Sequence, residues 1–165
     1  MQSRAIDLPH GLTIVVRPLE HGDVRTVTAV FARLGPESRR RRFNAAKPCL
    51  SDAELAQLAI VDAGHHALVA HVVGDPRPAG LAQLARTGGS SAEVAFVVAD
   101  AYHQRGIGSA LTRLLLADAR AAGITEITAL ASGDNRAALA LIRRVASVRE
   151  VRLEGPEQSI RAAIA

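Results

Sequence analysis

The stretch Ala92 to Ala121, AEVAFVVADAYHQRGIGSALTRLLLADARA, constrains the fold of this chain more than any other. An apolar run (Ala92 to Ala99) with strand character is followed by a short connection. A glycine-rich turn, Gly106-Ile107-Gly108-Ser109-Ala110, then opens an amphipathic helix. Glycines let an anion approach the backbone, and the first turn of a helix presents unpaired N–H groups carrying partial positive charge. The pattern predicts an anion cradle between a strand and a helix.

Two familiar phosphate-binding patterns do not fit it. A nucleotide P-loop needs a lysine and a hydroxyl residue after the second glycine, and neither is present. A dinucleotide fingerprint needs a third small residue in register and an acidic residue after the next strand; Leu111 fills the third slot, and no strand ends in Asp or Glu there.

The other elements fall in order around this stretch. Residues 1 to 11 read as a loose start. LTIVVRPL (Leu12 to Leu19) reads as a strand, and Glu20 to Leu34 carries apolar residues at helical spacing until Gly35-Pro36 breaks it and starts another helix. Ser51-Asp52-Ala53-Glu54 has the order of a capping box for a helix reaching about Ile60. HHALVAHVV (His65 to Val73) and AGLAQLAR (Ala79 to Arg86) then lead through turns into the Ala92 strand as an antiparallel meander. Beyond the long helix, Gly123 marks a stop, Ile124 to Leu130 a parallel strand, and Asp134-Asn135 the cap of a helix from Arg136 to about Val145. Val148 to Leu153 and roughly Ser159 to Ile164 close the sheet. The expected fold is α/β, one domain over residues 1 to 165, with a mixed, mostly antiparallel sheet of about seven strands flanked by helices.

Composition narrows the partners. With 48 % apolar residues in 165, a packed core is assured. The net charge of +4 comes with 20 basic residues of which Lys47 alone is lysine, a surface suited to phosphates or acidic proteins. Four aromatics, Phe31, Phe43, Phe96 and Tyr102, form no stacking series, so no nucleic acid is expected. The single cysteine, Cys49, excludes a disulfide framework and a thiolate metal cluster. Neither a long apolar run nor a signal sequence is found, so a cytoplasmic protein with no membrane partner is expected. The arginine run Arg39 to Arg42 fans around a helix. It reads most simply as solvated surface, the alternative being a docking patch for an acidic partner or a cofactor phosphate.

The segment His103-Gln104-Arg105-Gly106-Ile107-Gly108 resembles motif A of the GCN5-related N-acetyltransferase (GNAT) superfamily, Gln/Arg-x-x-Gly-x-Gly/Ala between a strand and a helix. His103 departs from the usual Gln or Arg. LGPESRRRRF, LSDAELAQLAIVD, HHALVA and AEVAFVVADAYHQRGIGSALT look like the catalytic domain of bacterial Pat-type protein lysine acetyltransferases; no stretch resembles their cyclic-nucleotide-binding domain.

The resemblance implies acetyl-CoA as co-substrate. Its diphosphate would lie over the N–H groups from Gln104 to Ser109, Arg105 and Ile107 among them. Its pantetheine arm would pair with Phe96, Val97 and Val98, and Asn135, otherwise a plain helix cap, would touch that arm. Transfer to an amine needs a base, because a lysine is protonated at pH 7. Glu93, the one ionisable residue between Ala92 and Ala99, matches the acidic residue proposed as general base in the Pat-type domains; partial burial is expected to tune it.

The family's tyrosine after the Asn is Ile142 here, and its closing Gly-Phe is Ala146-Ser147. Tyr102 is a fallback acid or a packing residue, and a CoA thiol can leave with solvent help. His65-His66 read as packing residues and not a metal pair, since strand neighbours point to opposite faces. The acceptor implied is a protein lysine, with a small-molecule amine or a catalytically silent acyl-CoA sensor as alternatives, and a homodimer is left open.

Overall fold

The computed structural model describes residues 2 to 165. Its centre is an eight-stranded sheet in the order β1-β2-β3-β4-β5-β6-β8-β7. The strands are β1 (Arg4–Leu8), β2 (Leu12–Pro18), β3 (His65–Val72), β4 (Pro78–Gly88), β5 (Ser91–Val98), β6 (Glu126–Ser132), β7 (Ser147–Glu154) and β8 (Glu157–Ala163). Every neighbouring pair is antiparallel except β5 and β6, joined through a crossover helix as the sequence predicts.

The strand beyond the expected seven is β1, in the stretch read as a loose start. It folds back on β2 with Ile6 opposite Ile14, through a tight turn in which His10 and Gly11 take φ of 68° and 74°. Only Ile6 and Leu8 alternate inward along β1, too short a pattern to signal a strand; pairing with β2 supplies the order.

Helices cover both faces. On one side lie α1 (Val24–Phe31), α2 (Pro36–Phe43) and α3 (Asp52–Leu58); on the other lie α4 (Ile107–Ala121) and α5 (Arg136–Val145). The inner strands are therefore apolar on both faces. In β3, Leu68 and Ala70 pack with Leu111 and Leu115 of α4, while Ala67 and Val69 pack with Val27, Val30 and Phe31 of α1. Each large side chain fully buried here contributes about 1.5–3 kcal/mol.

The helix expected over Glu20 to Leu34 is confined to Val24–Phe31 because Asp23 caps it, accepting 3.0 Å from the Thr26 N–H. Ser51 and Glu54 form the expected capping box on α3. Helix α4 lies directly on β4 at Gly80, where an added Cβ would sit 2.9 Å from Leu111 Cδ1 and 3.2 Å from the Val97 carbonyl oxygen. Glycine there sets how closely α4 approaches the sheet. No helix among the described residues is long and apolar enough to cross a membrane.

Candidate active site

The parallel ladder between β5 and β6 runs only from Ser91–Glu126 to Val94–Ala129. Beyond it β5 continues to Val98 and β6 to Ser132 without pairing. This parting of the sheet opens a cavity of about 580 Å³. Its walls are Val94 to Val98 of β5, Ala129 to Ala131 of β6, the glycine turn, one flank of α5, and Ser38, Arg41 and Arg42 of α2.

At one end the chain winds through Gln104 (φ 59°) and Gly106 (φ 90°) before entering α4. Gly106 occupies the N-cap position in a left-handed conformation that a side chain would strain, and no side chain caps α4. The N–H groups of the first helical turn therefore stay available at the cavity wall, along with the positive end of a fifteen-residue helix. At Gly108 a Cβ would meet Leu141 Cδ2 at 3.5 Å and Val98 Cγ2 at 3.6 Å, so the missing side chain keeps a gap open between β5 and α5.

The structure brings Phe96, Val97, Val98, His103, Gln104, Gly106, Ile107, Gly108, Ser109 and Asn135 together around this cavity. Arg105 is the exception among the expected cofactor contacts: exposed at the top of the turn, it is not part of the wall. His103 Nε2 donates to the Val98 carbonyl oxygen at 2.9 Å, tying the turn to the end of β5. Asn135 is the helix cap of α5: its Oδ1 accepts from the Ala138 N–H at 3.1 Å, and its carbonyl accepts from Gln158 Nε2 at 3.0 Å. It lines the cavity in that fixed pose.

Glu93 lies on β5 below the parting, opposite Ala85 of β4 and Thr128 of β6. It is exposed, where partial burial was expected: its neighbour across β4 is the small Ala85, and no bulky side chain covers it. Its charge reaches Arg42, whose guanidinium is pulled below its usual value by burial and partly restored by Glu93.

The arginine run is only partly solvated: all four are half-buried, and each has partners in the fold. Arg39 donates to the carbonyls of Leu34, Phe31 and Pro48. Arg40 pairs with Glu37 and reaches Asp134 at 2.7 Å, fastening α2 to the β6–α5 corner. Arg41 pairs with Glu37, and Arg42 donates to Gln83 Oε1 at 3.2 Å.

Two supports of the site carry no motif in the sequence. Asp100 accepts from the Gly35 N–H at 3.0 Å and from Ser38 Oγ at 2.6 Å, tying the α1–α2 turn to the segment after β5. Asp75, in the β3–β4 turn, is held down to about 2 by the Arg77 backbone N–H, the Tyr102 hydroxyl and Arg33, against the opposing effect of desolvation. It pairs with Arg33 at 2.8 Å, and Arg33 stacks 5.2 Å from the Tyr102 ring centre.

Tyr102 is thus a cavity residue whose hydroxyl already donates to Asp75, at 2.9 Å. Ile142, in the slot where the family carries tyrosine, is fully buried in the core against α4. His66 pairs with Asp118 and His65 with Asp62, and no group able to hold a metal ion occurs among the described residues.

A sheet parted beside an uncapped helix N-terminus, with a strand edge facing a narrow cleft, defines an α/β protein built to hold a long, phosphate-ended acyl carrier. Residues 31–146 match the acetyltransferase (GNAT) family model, and the chain belongs to that family, acetyl-CoA-dependent N-acetyltransferases. The fold matches the GNAT domain of S. lividans PAT with TM-score 0.87 and 24 % identity over 98 % of this chain and 97 % of that one. A cAMP-binding acyltransferase from Mycobacterium smegmatis matches with TM-score 0.67 and 26 % identity over 99 % of this chain, which spans 48 % of that protein. Spermidine N-acetyltransferase from Vibrio cholerae, solved with CoA and spermine, matches with TM-score 0.66 and 21 % identity over 92 % of this chain and 94 % of that one.

Proposed function

We propose that the chain transfers the acetyl group of acetyl-CoA to the side-chain amine of a protein lysine by direct attack, with Glu93 as general base. The observation that carries this reading is the parting of β5 from β6 after Val94, with the glycine turn in the cavity wall; Glu93 stands in the ladder one residue before the parting, outside that wall. Bound acetyl-CoA supplies the activated thioester carbonyl. The N–H groups of Ile107, Gly108 and Ser109 bind its diphosphate, and the unpaired edge of β5 at Phe96 to Val98 orients its amide arm as an added strand.

The acceptor arrives as an ammonium ion, so a proton must leave before the lone pair can attack. Glu93, exposed on the strand leading into the cavity, takes it through water. As the amine nitrogen bonds to the acetyl carbon, the C–S bond breaks. CoA leaves as a thiolate that takes its proton from solvent, so no tyrosine is required as acid, in keeping with the core position of Ile142. The free thiol of Cys49 fits a reducing compartment, the cytoplasm. Where two copies pair, the free edge of β7, with Val151 and Leu153 exposed, supports the contact.

Turnover measured as CoA release against lysine peptides and polyamines tests the reading. Glu93→Gln is expected to lower kcat by about 10²–10⁴-fold, the usual worth of a general base, at unchanged acetyl-CoA affinity. Full activity in that variant excludes Glu93 as base. Acetyl-CoA binding without any turnover leaves the silent sensor, and turnover confined to polyamines leaves the small-molecule acetyltransferase.

A further inference from the structure

Arg42 differs from its three neighbours in how little holds it: Glu93 acts on its charge only at a distance, with no ion pair between them. Among the described residues it forms no ion pair, while Arg40 and Arg41 hold carboxylates and Arg39 is bound to three backbone carbonyls. A guanidinium has five N–H donors, and the structure gives Arg42 one partner, the neutral Gln83 Oε1 at 3.2 Å. Gln83 is itself fixed by donating from Nε2 to the Leu58 carbonyl at 2.7 Å, so its oxygen is aimed and its position is not negotiable. The ring of Phe43 lies 5.2 Å from the Arg42 guanidinium carbon. Burial disfavours the charge on Arg42. A half-buried guanidinium with no carboxylate in ion-pair contact has donors left for an anion that arrives.

The place of Arg42 says which end of the cavity is concerned. It lines the cavity from α2, and its partner Gln83 lies opposite Ala95 in the β4–β5 ladder. Ala95 stands between Glu93 and the Phe96–Val98 edge, so Arg42 sits over the acyl-transfer end and not over the glycine turn. Helix α2 is anchored by Asp100 on Gly35 and Ser38 and by Arg39 on Phe31 and Leu34, which presents the guanidinium from a rigid support.

We propose that Arg42 binds a carboxylate brought to the acyl-transfer end of the cavity by one of the two reactants. A planar carboxylate suits the guanidinium fork. It can come from the acceptor, as an acidic residue beside the reacting lysine, or from the acyl group, as the far carboxylate of a dicarboxylic acyl-CoA. The proposal rests on the acetyltransferase reading for its chemistry but is tested by binding as well as by turnover.

Two matched pairs distinguish the sources: a lysine peptide flanked by aspartate against the same peptide with asparagine, and succinyl-CoA against acetyl-CoA. The preference within each pair is measured as the ratio of kcat/KM for the charged over the neutral member, in the wild type, Arg42→Gln and Arg42→Lys. One pair is expected to show a wild-type preference that falls at least tenfold in Arg42→Gln and is partly kept in Arg42→Lys. The pair that responds identifies the source.

The same pairs are titrated calorimetrically, peptides against the CoA-loaded protein and acyl-CoAs against the free protein. An Arg42-dependent difference in Kd without turnover supports the carboxylate site and refutes the transferase reading. Equal losses for charged and neutral members of both pairs, in turnover and in Kd, overturn the proposal and leave Arg42 as a partner of Glu93 or of the fold.

Discussion

Gly108→Ala separates what the glycine turn does for the ligand from what it does for the fold. Gly108 stands in the first turn of α4, and its φ is not in the left-handed region. An added methyl would meet Leu141 Cδ2 at 3.5 Å and Val98 Cγ2 at 3.6 Å, ordinary van der Waals contact. Nothing has to move. Exchanging glycine for alanine within a helix stabilises by about 0.5–1 kcal/mol. For a chain of this size that raises Tm by roughly 1–4 °C.

The same methyl fills the gap between Val98 and Leu141, both of which line the cavity. The motif that this turn resembles accepts Gly or Ala in the slot of Gly108, and the methyl faces Leu141 and Val98, so the N–H groups of Ile107, Gly108 and Ser109 stay open to a diphosphate. Acetyl-CoA affinity is therefore expected to stay within about tenfold of the wild type, whereas losing one charge-assisted hydrogen bond, about 1.5–3 kcal/mol, would weaken it by about 10–150-fold. Gly106→Ala gives the opposite sign in stability. There the surroundings are open, with the nearest atom, Pro9 Cδ, at 3.8 Å, but φ is 90°, and a left-handed non-glycine residue costs about 1–2 kcal/mol. Thermal melts and calorimetric titration with acetyl-CoA read both effects. A Gly108→Ala protein that loses more than tenfold in acetyl-CoA affinity, or that melts below the wild type, refutes the reading that the backbone N–H groups of this turn hold the ligand while the methyl is accommodated.

Acid stability provides another check. Because Asp75 is held near 2 from an ordinary value of 3.8, its stabilising contribution is full above pH 4 and is lost as pH falls toward 2. Asp75→Asn is expected to melt below the wild type at pH 7, with the gap closing by pH 2; a constant gap across that range contradicts the ion-pair account. Glu54, held near 2 by Lys47 and the Ser51 backbone, titrates in the same window and sets the slope that the variant retains. For Asp100→Ala, which releases Gly35 and Ser38, KM for the amine should rise while Kd for acetyl-CoA stays the same. Parallel loss of both would show that Asp100 supports the whole cavity.

The parts of this protein legible in the sequence are those written locally. The strand, glycine turn and helix from Ala92 to Ala121, the Ser51 capping box and the Asn135 cap depend on neighbours within a few positions, and each stands where the spacing places it. The chain's edge was harder: β1 alternates too briefly to be seen without β2 beside it. The Arg39–Arg42 run is the instructive miss. Four like charges in a row suggest a solvated surface, but their partners Asp134 and Gln83 lie 94 and 41 residues away from Arg40 and Arg42 in the chain. Asp100 and Asp75 were invisible for the same reason, since each takes its meaning from groups that only the folded chain brings near.

The ladder between β5 and β6 has a consequence of a mechanical kind. Among the described residues, the β1–β5 half of the sheet is joined to the β6–β8–β7 half by a ladder of four residue pairs and by the Ser90 carbonyl, which accepts from the Thr125 and Glu126 N–H groups. A pantetheine chain laid along Phe96 to Val98 would lengthen that join from one side, so the donor acts as a stitch across a short seam. Slower amide exchange at Val94 and its neighbours on loading acetyl-CoA is the expected sign that the grip between the two halves tightens.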